Sequence, residues 1–392
     1  MNYSPEQIDW LRLCRTETVG PITFYRLLAK FGTAAEALKA LPHIIKNKSI
    51  SICSEAAAHK ELDGLSALNG RMIFAGDAEY PVALSALEDA PPVLSVLGDV
   101  AALHRAAVAL VGSRNASLNG RKLAHKMAAD LGRAGYVVVS GLARGIDTAA
   151  HQGAIEFGTV AVVAGGVDVV YPKENSDLYQ QIIHAPCGAV ISECALGTQP
   201  IAQHFPKRNR IVSGLCEGVV VVEANLRSGS LITARLAGEQ GRDVMAVPGF
   251  PLDPRAEGTN SLLREGAHLV RHAADVVETV ASFLKSHSPP ARQPMLELRE
   301  ENLSEFDLLS LEDLGDDQPQ NPQARKGELL VDTDHLRTLI LPELSSMPVE
   351  IDELIRMLGL PSAHAHGTFL ELELEGLITR LPGNRICLKS FH

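Results

Sequence analysis

The chain has 392 residues, enough for two or three domains and one sizeable core. Apolar residues make up 46% of it and charged residues 21%, the balance of a soluble globular protein. The N-terminus has no apolar stretch with a cleavage site, and no apolar run reaches the roughly 18 residues of a membrane helix, so we expect neither a signal peptide nor a membrane helix, and a cytoplasmic protein.

The net charge of −11 does not exclude nucleic-acid binding, because the negative charge is unevenly distributed. Between Glu297 and Asp317 there are nine acids and one base, so the rest of the chain sums to only −3. Phosphate binding depends on the local field rather than on the total charge. A basic surface elsewhere on the chain therefore remains compatible with the composition.

Residues 1–68 have the pattern of a small helical domain. Apolar residues recur at helical spacing, and Gly20-Pro21 and Gly32-Thr33 each precede a new helical pattern. The segment TVGPITFYRLLAKFGTAAEAL resembles the helical hairpins of SAM and helix-hairpin-helix DNA-binding units. Only Arg26 and Lys30 add positive charge nearby, which leaves open that this domain serves in packing or partner binding.

Residues 69–287 have the pattern of an α/β domain. Six short runs rich in Val, Ala and Ile alternate with helical stretches: AAVALVG, YVVVSG, TVAVVAGG, GAVISE, GVVVVEA and DVMAVPG. Continuous apolar strands between helices predict a doubly wound, mostly parallel, Rossmann-like sheet covered on both faces. A ligand of such a sheet binds outside the carboxyl ends of its strands.

Residues 288–334 contain paired prolines and the acidic run, and they predict a flexible linker. Residues 335–392 then regain a pattern of two helices, separated by Leu360-Pro361, and a hairpin around Gly383-Asn384. This order predicts a winged helix. Its second helix carries several glutamates, so the sequence leaves open whether this domain binds DNA or protein.

Glycine-containing loops follow the first two predicted strands of the α/β domain. Gly112 permits a tight turn, and Ser113 and Arg114 can offer donors to an anion at the start of the next helix. After the second strand, Ser140 is followed by two glycines, Gly141 and Gly145, whose spacing lets backbone amides point outwards. Arg144 adds a forked cation to the donors of this loop. Asp147 could serve only as the cap of its helix.

The loops that follow the third and fourth strands add cations and aromatic rings: Tyr171, Lys173, Phe205, Lys207, Arg208 and Arg210. Because parallel strands end at one edge of the sheet, we expect these side chains to converge there. Cations along a backbone, with rings that stack on bases, are typical of single-stranded DNA binding. Five phosphate contacts would give a log-log salt slope near −3.5. Arg210 could instead pair with Glu193 or Glu223.

Several motifs of catalysis and metal binding are missing from the sequence. It has no GxxxxGK[ST], GxSxG or HExxH, and no GxGxxG follows the first strand of the α/β domain. The six cysteines are scattered without a CxxC pair or a four-ligand zinc spacing, which predicts reduced core residues. We therefore predict a protein that is not an enzyme, with no catalytic residue, cofactor or metal.

Six segments between residues 75 and 285 resemble the DNA-processing protein A (DprA/Smf) family: GSRNASLNG, SGLARGIDTAAHQGA, TVAVVAGGVDVVYPKEN, FPKRNRIVSGL, VVVVEANLRSGSLITARLAGEQGRDVMAVPG and GTNSLLREGA. The resemblance implies a recombination mediator that protects incoming single-stranded DNA and helps load the RecA recombinase in natural transformation. It also implies a homodimer through the core domain. The residues matching its DNA pocket are Gly112, Ser113, Arg114, Ser140, Gly141, Arg144, Gly145, Lys173, Phe205, Lys207, Arg208 and Arg210.

Two alternatives remain at this point. The first is a nucleotide-processing hydrolase of the lysine-decarboxylase-like type, with Glu223 or Asp147 as acid or base. Its PGGxGTxxE signature is not matched, since residues 228–234 read SGSLITA without the glutamate. The second alternative is a protein adaptor that works through the terminal domains.

Overall fold

The computed structural model describes residues 3–44, 51–286, 333–345, 347–381 and 384–389. The predicted linker at 288–334 lies outside the described residues except for its last two. Within the described ranges, the α/β fold with a mostly parallel doubly wound sheet, an N-terminal helical domain and a C-terminal winged helix is confirmed.

Four helices form the N-terminal domain: α1 (Pro5–Arg15), α2 (Pro21–Phe31), α3 (Ala34–Ile44) and α4 (Glu55–Ala67). Helix α1 begins with a capping box, in which Ser4 and Gln7 satisfy each other's backbone amides. The rings of Trp10 and Phe24 meet edge to face at 5.1 Å, and Leu13 and Leu41 are buried beside them. The apolar spacing read from the sequence thus forms a small core of its own.

Nine strands form one sheet within the described residues. They are β1 (Arg71–Phe74), β2 (Val93–Gly98), β3 (Ala107–Val111), β4 (Val137–Ser140), β5 (Thr159–Val162), β6 (Gly188–Ser192), β7 (Gly218–Val221), β8 (Asp243–Ala246) and β9 (His268–Leu269). The order across the sheet is β1-β2-β6-β5-β4-β3-β7-β8-β9. Strands β3 to β9 are parallel, whereas β1 and β2 pair antiparallel at one edge.

Helices cover both faces of this sheet. They are α5 (Val82–Ser85), α6 (Leu118–Arg133), α7 (Ile146–Ala154), α8 (Ser176–His184), α9 (His204–Gly214), α10 (Gly229–Glu239), α11 (Glu257–Arg264) and α12 (Ala273–Ser286). Alternate residues of β3 show the two layers: Val108 and Leu110 pack under α6, α7 and α12, whereas Ala109 and Val111 pack towards α9 and α10. The chain moves outwards from β3 to β6 and then returns to β7 beside β3, which creates a switch point where ligands bind in such sheets.

The N-terminal helices are packed directly on the sheet. Leu11 of α1 and Leu65 of α4 share an apolar cluster with Met72 and Leu97 of β1 and β2. Arg15 strengthens this junction, because its guanidinium pairs with Glu61 at 2.8 Å and donates to the backbone oxygen of Glu193 at 2.9 Å. The helical domain and the sheet therefore form one continuous packed body.

The C-terminal domain is a winged helix, as predicted. It contains α13 (Thr333–Ile340), β10 (Val349–Glu350), α14 (Ile351–Leu358), α15 (Ser362–Leu374), β11 (Ile378–Leu381) and β12 (Arg385–Leu388). The strands form a small antiparallel sheet in the order β10-β12-β11, and Phe369 and Ile386 are fully buried in the core. Leu118 of α6 joins this core, so the winged helix rests against the α/β domain.

Two negative findings apply to the described ranges. None of the helices there is long and apolar enough to cross a bilayer. No group of three or more His, Cys, Asp or Glu side chains there could hold a metal ion.

Candidate nucleic-acid interface

A buried arginine lies at the centre of the loops that follow the parallel strands. Arg208, on the second turn of α9, is only 6% exposed. Its guanidinium lies over the backbone of Gly141, where a Cβ atom would stand 1.4 Å from Nη1. Among the described residues Arg208 makes no ion pair, and its Nε has no hydrogen-bond partner. A buried cation without an acceptor is costly, and a bound anion would remove that cost.

The electrostatics around Arg208 keep it charged. Burial, and then the positive charge of Arg114, lower the pKa of Arg208 to about 10, while Asp147 opposes the shift. The guanidinium is therefore still protonated at neutral pH. Burial raises the pKa of the Asp147 carboxyl, although Arg208 and nearby hydrogen bonds counteract this. The Asp147 carboxylate offsets the positive charge of Arg208 electrostatically, without forming an ion pair or a hydrogen bond with it.

An aromatic group stands beside Arg114, in the loop after β3. The guanidinium carbon of Arg114 lies 5.0 Å from the ring centre of Phe205, a cation–π contact, and Tyr171 meets the same ring edge to face at 5.9 Å. Tyr171 is 47% exposed, so its ring is accessible to a base. Three separate segments, following β3, β5 and β6, thus meet at one edge of the sheet. This convergence was the main expectation from the sequence.

The loop after β4 differs in detail from the prediction. Its amides do not point outwards at Gly141 and Ala143, because both donate to the Asp147 carboxylate, at 3.1 and 3.3 Å. The Ser140 hydroxyl is also internal and donates to the Leu110 carbonyl at 2.7 Å. Gly145 has a φ of +76°, and a Cβ there would lie 2.3 Å from the Ser113 carbonyl oxygen. The loop is thereby fixed as a tight platform under Arg208.

The expected anion position at the start of α6 is occupied by the protein itself. The Glu223 carboxylate, at the end of β7, accepts from the backbone amide of Ser117 at 2.9 Å and from its hydroxyl at 2.6 Å. The Ser113 amide is also used, donating to the Glu223 carbonyl at 2.7 Å. Gly112 permits this close approach, since a Cβ there would lie 2.9 Å from that same oxygen. The β3 loop therefore offers the Arg114 side chain rather than backbone donors.

The remaining predicted cations lie on the surface. Arg144 pairs with Glu174, and both side chains are about 60% exposed, so this ion pair is weak and easily exchanged for another anion. Lys173 and Lys207 are exposed, the first directly beside Glu174 and the second next to Arg208 in the chain. These three cations are exposed on the loops and helix start that follow β4, β5 and β6.

Arg210 has a different environment from the other cations. It is 7% exposed, pairs with Glu193 and donates to the Asp89 carbonyl oxygen at 2.6 Å. This is the internal pairing that the sequence left open. Because Glu193 also holds Arg15 through its backbone oxygen, Arg210 connects α9 to the junction with the N-terminal helices.

A neutral histidine lies under the same loops. His151 of α7 is fully buried, and its Nδ1 lies 2.7 Å from the Thr159 hydroxyl. That hydroxyl donates to the Val138 carbonyl at 2.8 Å, so it accepts its second hydrogen bond from Nδ1. Burial, and then the charge of Arg208, lower the pKa of His151 to about 3. No motif in the sequence assigns a role to this histidine.

Acid is expected to destabilise the fold through His151. In the unfolded chain His151 becomes protonated below about pH 6.5, whereas in the folded chain it stays neutral down to about pH 3. Stability therefore falls as pH falls through this window, by up to about 1.4 kcal/mol per pH unit. His151→Asn keeps a donor towards Thr159 but cannot titrate. Urea unfolding at pH 7 and pH 5 should show wild type losing about 2 kcal/mol more than the variant. Equal losses in both proteins would contradict this assignment.

The hydrolase alternative gains nothing from this geometry. Glu223, its candidate acid or base, already accepts both hydrogen bonds from Ser117, and Asp147 holds two loop amides. Burial raises the pKa of Glu223, and the Ser117 hydrogen bonds counteract that shift. Both carboxylates stabilise loops.

Comparison with known proteins identifies the family. The model of the DNA recombination-mediator protein A family matches residues 71–281. The chain belongs to this family. Its N-terminal region, residues 4–64, matches the DprA-like N-terminal HHH domain, and residues 322–384 match the DprA winged helix domain. The resemblance seen in the sequence motifs is thereby confirmed.

Members of the DNA recombination-mediator protein A family from several bacteria are similar to the chain. Protein Smf of Escherichia coli (strain K12) is 34% identical over 323 residues, covering 82% of this chain and 78% of that protein. The DNA processing protein DprA of Streptococcus pneumoniae is 48% identical over 200 residues, covering 50% of this chain and 70% of that protein.

Two solved structures of the family share the fold. The X-ray structure of DNA processing protein A from Streptococcus pneumoniae has a TM-score of 0.59 and 35% identity, covering 71% of this chain and 98% of that one. DNA processing protein A from Helicobacter pylori, whose structure concerns its single-stranded DNA binding mode, has a TM-score of 0.50 and 29% identity. The match covers 56% of this chain and 97% of that one.

Proposed function

We propose that this chain binds single-stranded DNA at the edge of its sheet and acts as a recombination mediator without catalysing a reaction. The observation that carries the proposal is Arg208, a charged and buried side chain that has no acceptor among the described residues. A phosphodiester would supply two oxygens to its forked guanidinium. The single-stranded DNA binding of the Helicobacter pylori relative supports the same ligand.

The geometry favours a single strand over a duplex. Arg208 is only 6% exposed, so a phosphate reaches its guanidinium only if the backbone bends towards the sheet, which an unpaired strand does easily. Phe205 lies one turn before Arg208 on α9 and meets the Tyr171 ring at 5.9 Å, so a base near that phosphate can stack on a ring. Arg114 then contacts both the ring and an adjacent phosphate. Lys173, Lys207 and Arg144 extend the positive surface on either side.

Binding of this kind carries no sequence preference, because stacking accepts every base and the phosphates are identical. A mediator needs this property, since incoming DNA can have any sequence. We propose that protection of such DNA, loading of the RecA recombinase in natural transformation and pairing of two copies through the core belong to this cytoplasmic role. The family resemblance supports these steps, and the exposed edge strand β9 with Leu269 offers a surface for pairing.

The test of this proposal is a fluorescence-anisotropy titration of a labelled single strand at several salt concentrations. Wild type should bind with a log-log salt slope near −3.5, for about five phosphates. Arg114→Ala should reduce the affinity by about five- to thirtyfold and make the slope shallower by roughly 0.7, because one phosphate contact is lost. Lys207→Ala should have a similar but smaller effect.

A matched control exists elsewhere in the α/β domain. Arg133, the last residue of α6, lies 5.4 Å from the ring centre of Phe157, which is the same kind of cation–π contact. Arg133→Ala therefore removes equal charge and an equal ring contact far from the proposed interface, and it should leave both affinity and slope unchanged. If Arg114→Ala and Lys207→Ala both bind like wild type, the proposed interface is wrong.

A further inference from the structure

A second basic surface begins where the proposed DNA interface ends. Helices α6 and α7 enclose a cleft of about 320 Å³, here called the α6–α7 cleft. Among the described residues that line it, none is acidic and the polar ones are Arg121, Lys122, His125, Thr148 and Gln152. Gly145 also lines it, and this glycine belongs to the loop after β4. The cleft is therefore continuous with the loops around Arg208.

The winged helix already binds the two strongest cations of this cleft. Arg121 pairs with Glu343, just after α13, and Lys122 pairs with Glu353 of α14. Both pairs keep contact with solvent: the side chains of Lys122 and Glu353 are 47% and 35% exposed, and those of Arg121 and Glu343 are 26% and 19% exposed. Pairs of this exposure are weak and are screened by salt, so another anion can replace the carboxylates.

The rest of the contact between the two domains is small and largely polar. Leu118 is the one buried side chain of α6 in the apolar core of the winged helix, within the described residues. Arg255 donates to the backbone oxygens of Leu344 and Pro342, the latter at 2.8 Å. Small polar contacts between domains permit relative movement, unlike the broad apolar junction of the N-terminal helices.

We propose that the α6–α7 cleft is a second phosphate-binding site for the same DNA strand, and that Glu343 and Glu353 of the winged helix occupy its cations until DNA displaces them. This proposal rests on the proposed function. The two carboxylates stand in for phosphates on Arg121 and Lys122, so DNA binding and docking of the winged helix compete. A phosphate can accept two hydrogen bonds from the forked guanidinium of Arg121, and the ammonium of Lys122 adds a second positive charge to the site.

The test compares two double variants of the full chain that remove the same charge from the winged helix. Glu343→Gln with Glu353→Gln weakens both contacts to the cleft. Glu373→Gln with Glu375→Gln is the matched control, because these residues pair with Arg380 and Arg337 inside the winged helix itself. Both variants are titrated with the labelled single strand at several salt concentrations, and their thermal unfolding is recorded to confirm that they are folded.

The Glu343→Gln/Glu353→Gln variant should bind about three- to tenfold more tightly than wild type at low salt. Its log-log salt slope should be steeper by roughly 1.4, for two further phosphates. The control should match wild type in both measures. Adding Arg121→Ala and Lys122→Ala to the first variant should remove the gain and restore the original slope.

The outcomes separate this inference from the proposed function. If Glu343→Gln/Glu353→Gln binds like the control while Arg208 variants lose affinity, the cleft does not hold DNA and the proposed function stands. If the gain persists after Arg121→Ala and Lys122→Ala, the cleft is likewise not the site of the added phosphates. If wild type does not bind a single strand at all, the proposed function and this inference fail together.

Discussion

Replacing Arg208 with methionine is expected to reduce the affinity for single-stranded DNA by about thirty- to a hundredfold, since charge-assisted hydrogen bonds are worth about 2–3 kcal/mol. The physical reason is the burial of its guanidinium, which has no acceptor among the described residues. Methionine has a similar length and fills the same space. The measurement is the anisotropy titration at low salt, with stability followed by urea unfolding.

The fold should survive this change. Methionine suits the buried position and removes an unpaired cation, and the Asp147 carboxylate keeps its hydrogen bonds from the Gly141 and Ala143 amides. Arg235→Met provides the control, because Arg235 lies 72% exposed on α10 and pairs only loosely with Glu239 at 3.6 Å. Equal affinity of the Arg208 and Arg235 variants would show that the buried arginine does not hold DNA.

Substituting Gly141 with alanine should produce a loss of affinity similar to that of Arg208→Met, although no charge is removed. The new Cβ would lie 1.4 Å from Arg208 Nη1 and 2.4 Å from its Cζ. The guanidinium has to leave its position over the loop, and a cation displaced from there cannot form the same paired hydrogen bonds with a phosphate. We expect an affinity decrease of roughly ten- to a hundredfold in the same titration.

The matched control for this substitution is Gly238→Ala in α10. Gly238 has no neighbour within 4 Å of the added Cβ, so this substitution should leave DNA binding unchanged. Alanine in a helix should also raise its stability by about 0.5–1 kcal/mol. In Gly141→Ala the clashing atoms are the end of a flexible side chain, so folding should persist. Normal DNA affinity in Gly141→Ala would indicate that the position of Arg208 does not matter.

The sequence predicted the fold well where apolar runs determine it. All six predicted strands of the α/β domain appear, because runs such as Val137–Ser140 and Gly218–Val221 are buried on both faces. The sequence does not identify β1 and β2 as strands. Both pair antiparallel, β2 with β1 and with β6, so no helical crossover of the parallel part of the sheet marks them.

The candidate site was predicted in composition but not in detail. Convergence of the loops followed from the rule for parallel sheets, and it placed Arg114 next to Phe205. Hydrogen-bond directions did not follow from that rule. Asp147 takes the loop amides and Glu223 takes the start of α6, and both depend on distances between segments far apart in the chain. The sequence offers Glu193 or Glu223 as a partner of Arg210, and the Glu193 pair is observed. No pattern in the sequence marks Arg208 as buried without an acceptor among the described residues.

The junction near residue 68 has a consequence for how this protein can change over evolutionary time. Leu65 and Met72 share one apolar cluster, and Arg15 contacts the backbone just after β6. We therefore expect that the N-terminal helical domain cannot be exchanged as a separate module by recombination between genes. A head from a distant relative would leave the outer face of β1 and β2 poorly covered. Substitutions on the two sides of this junction should therefore have accumulated as compensating pairs, whereas the polar contact of the winged helix permits its replacement or loss.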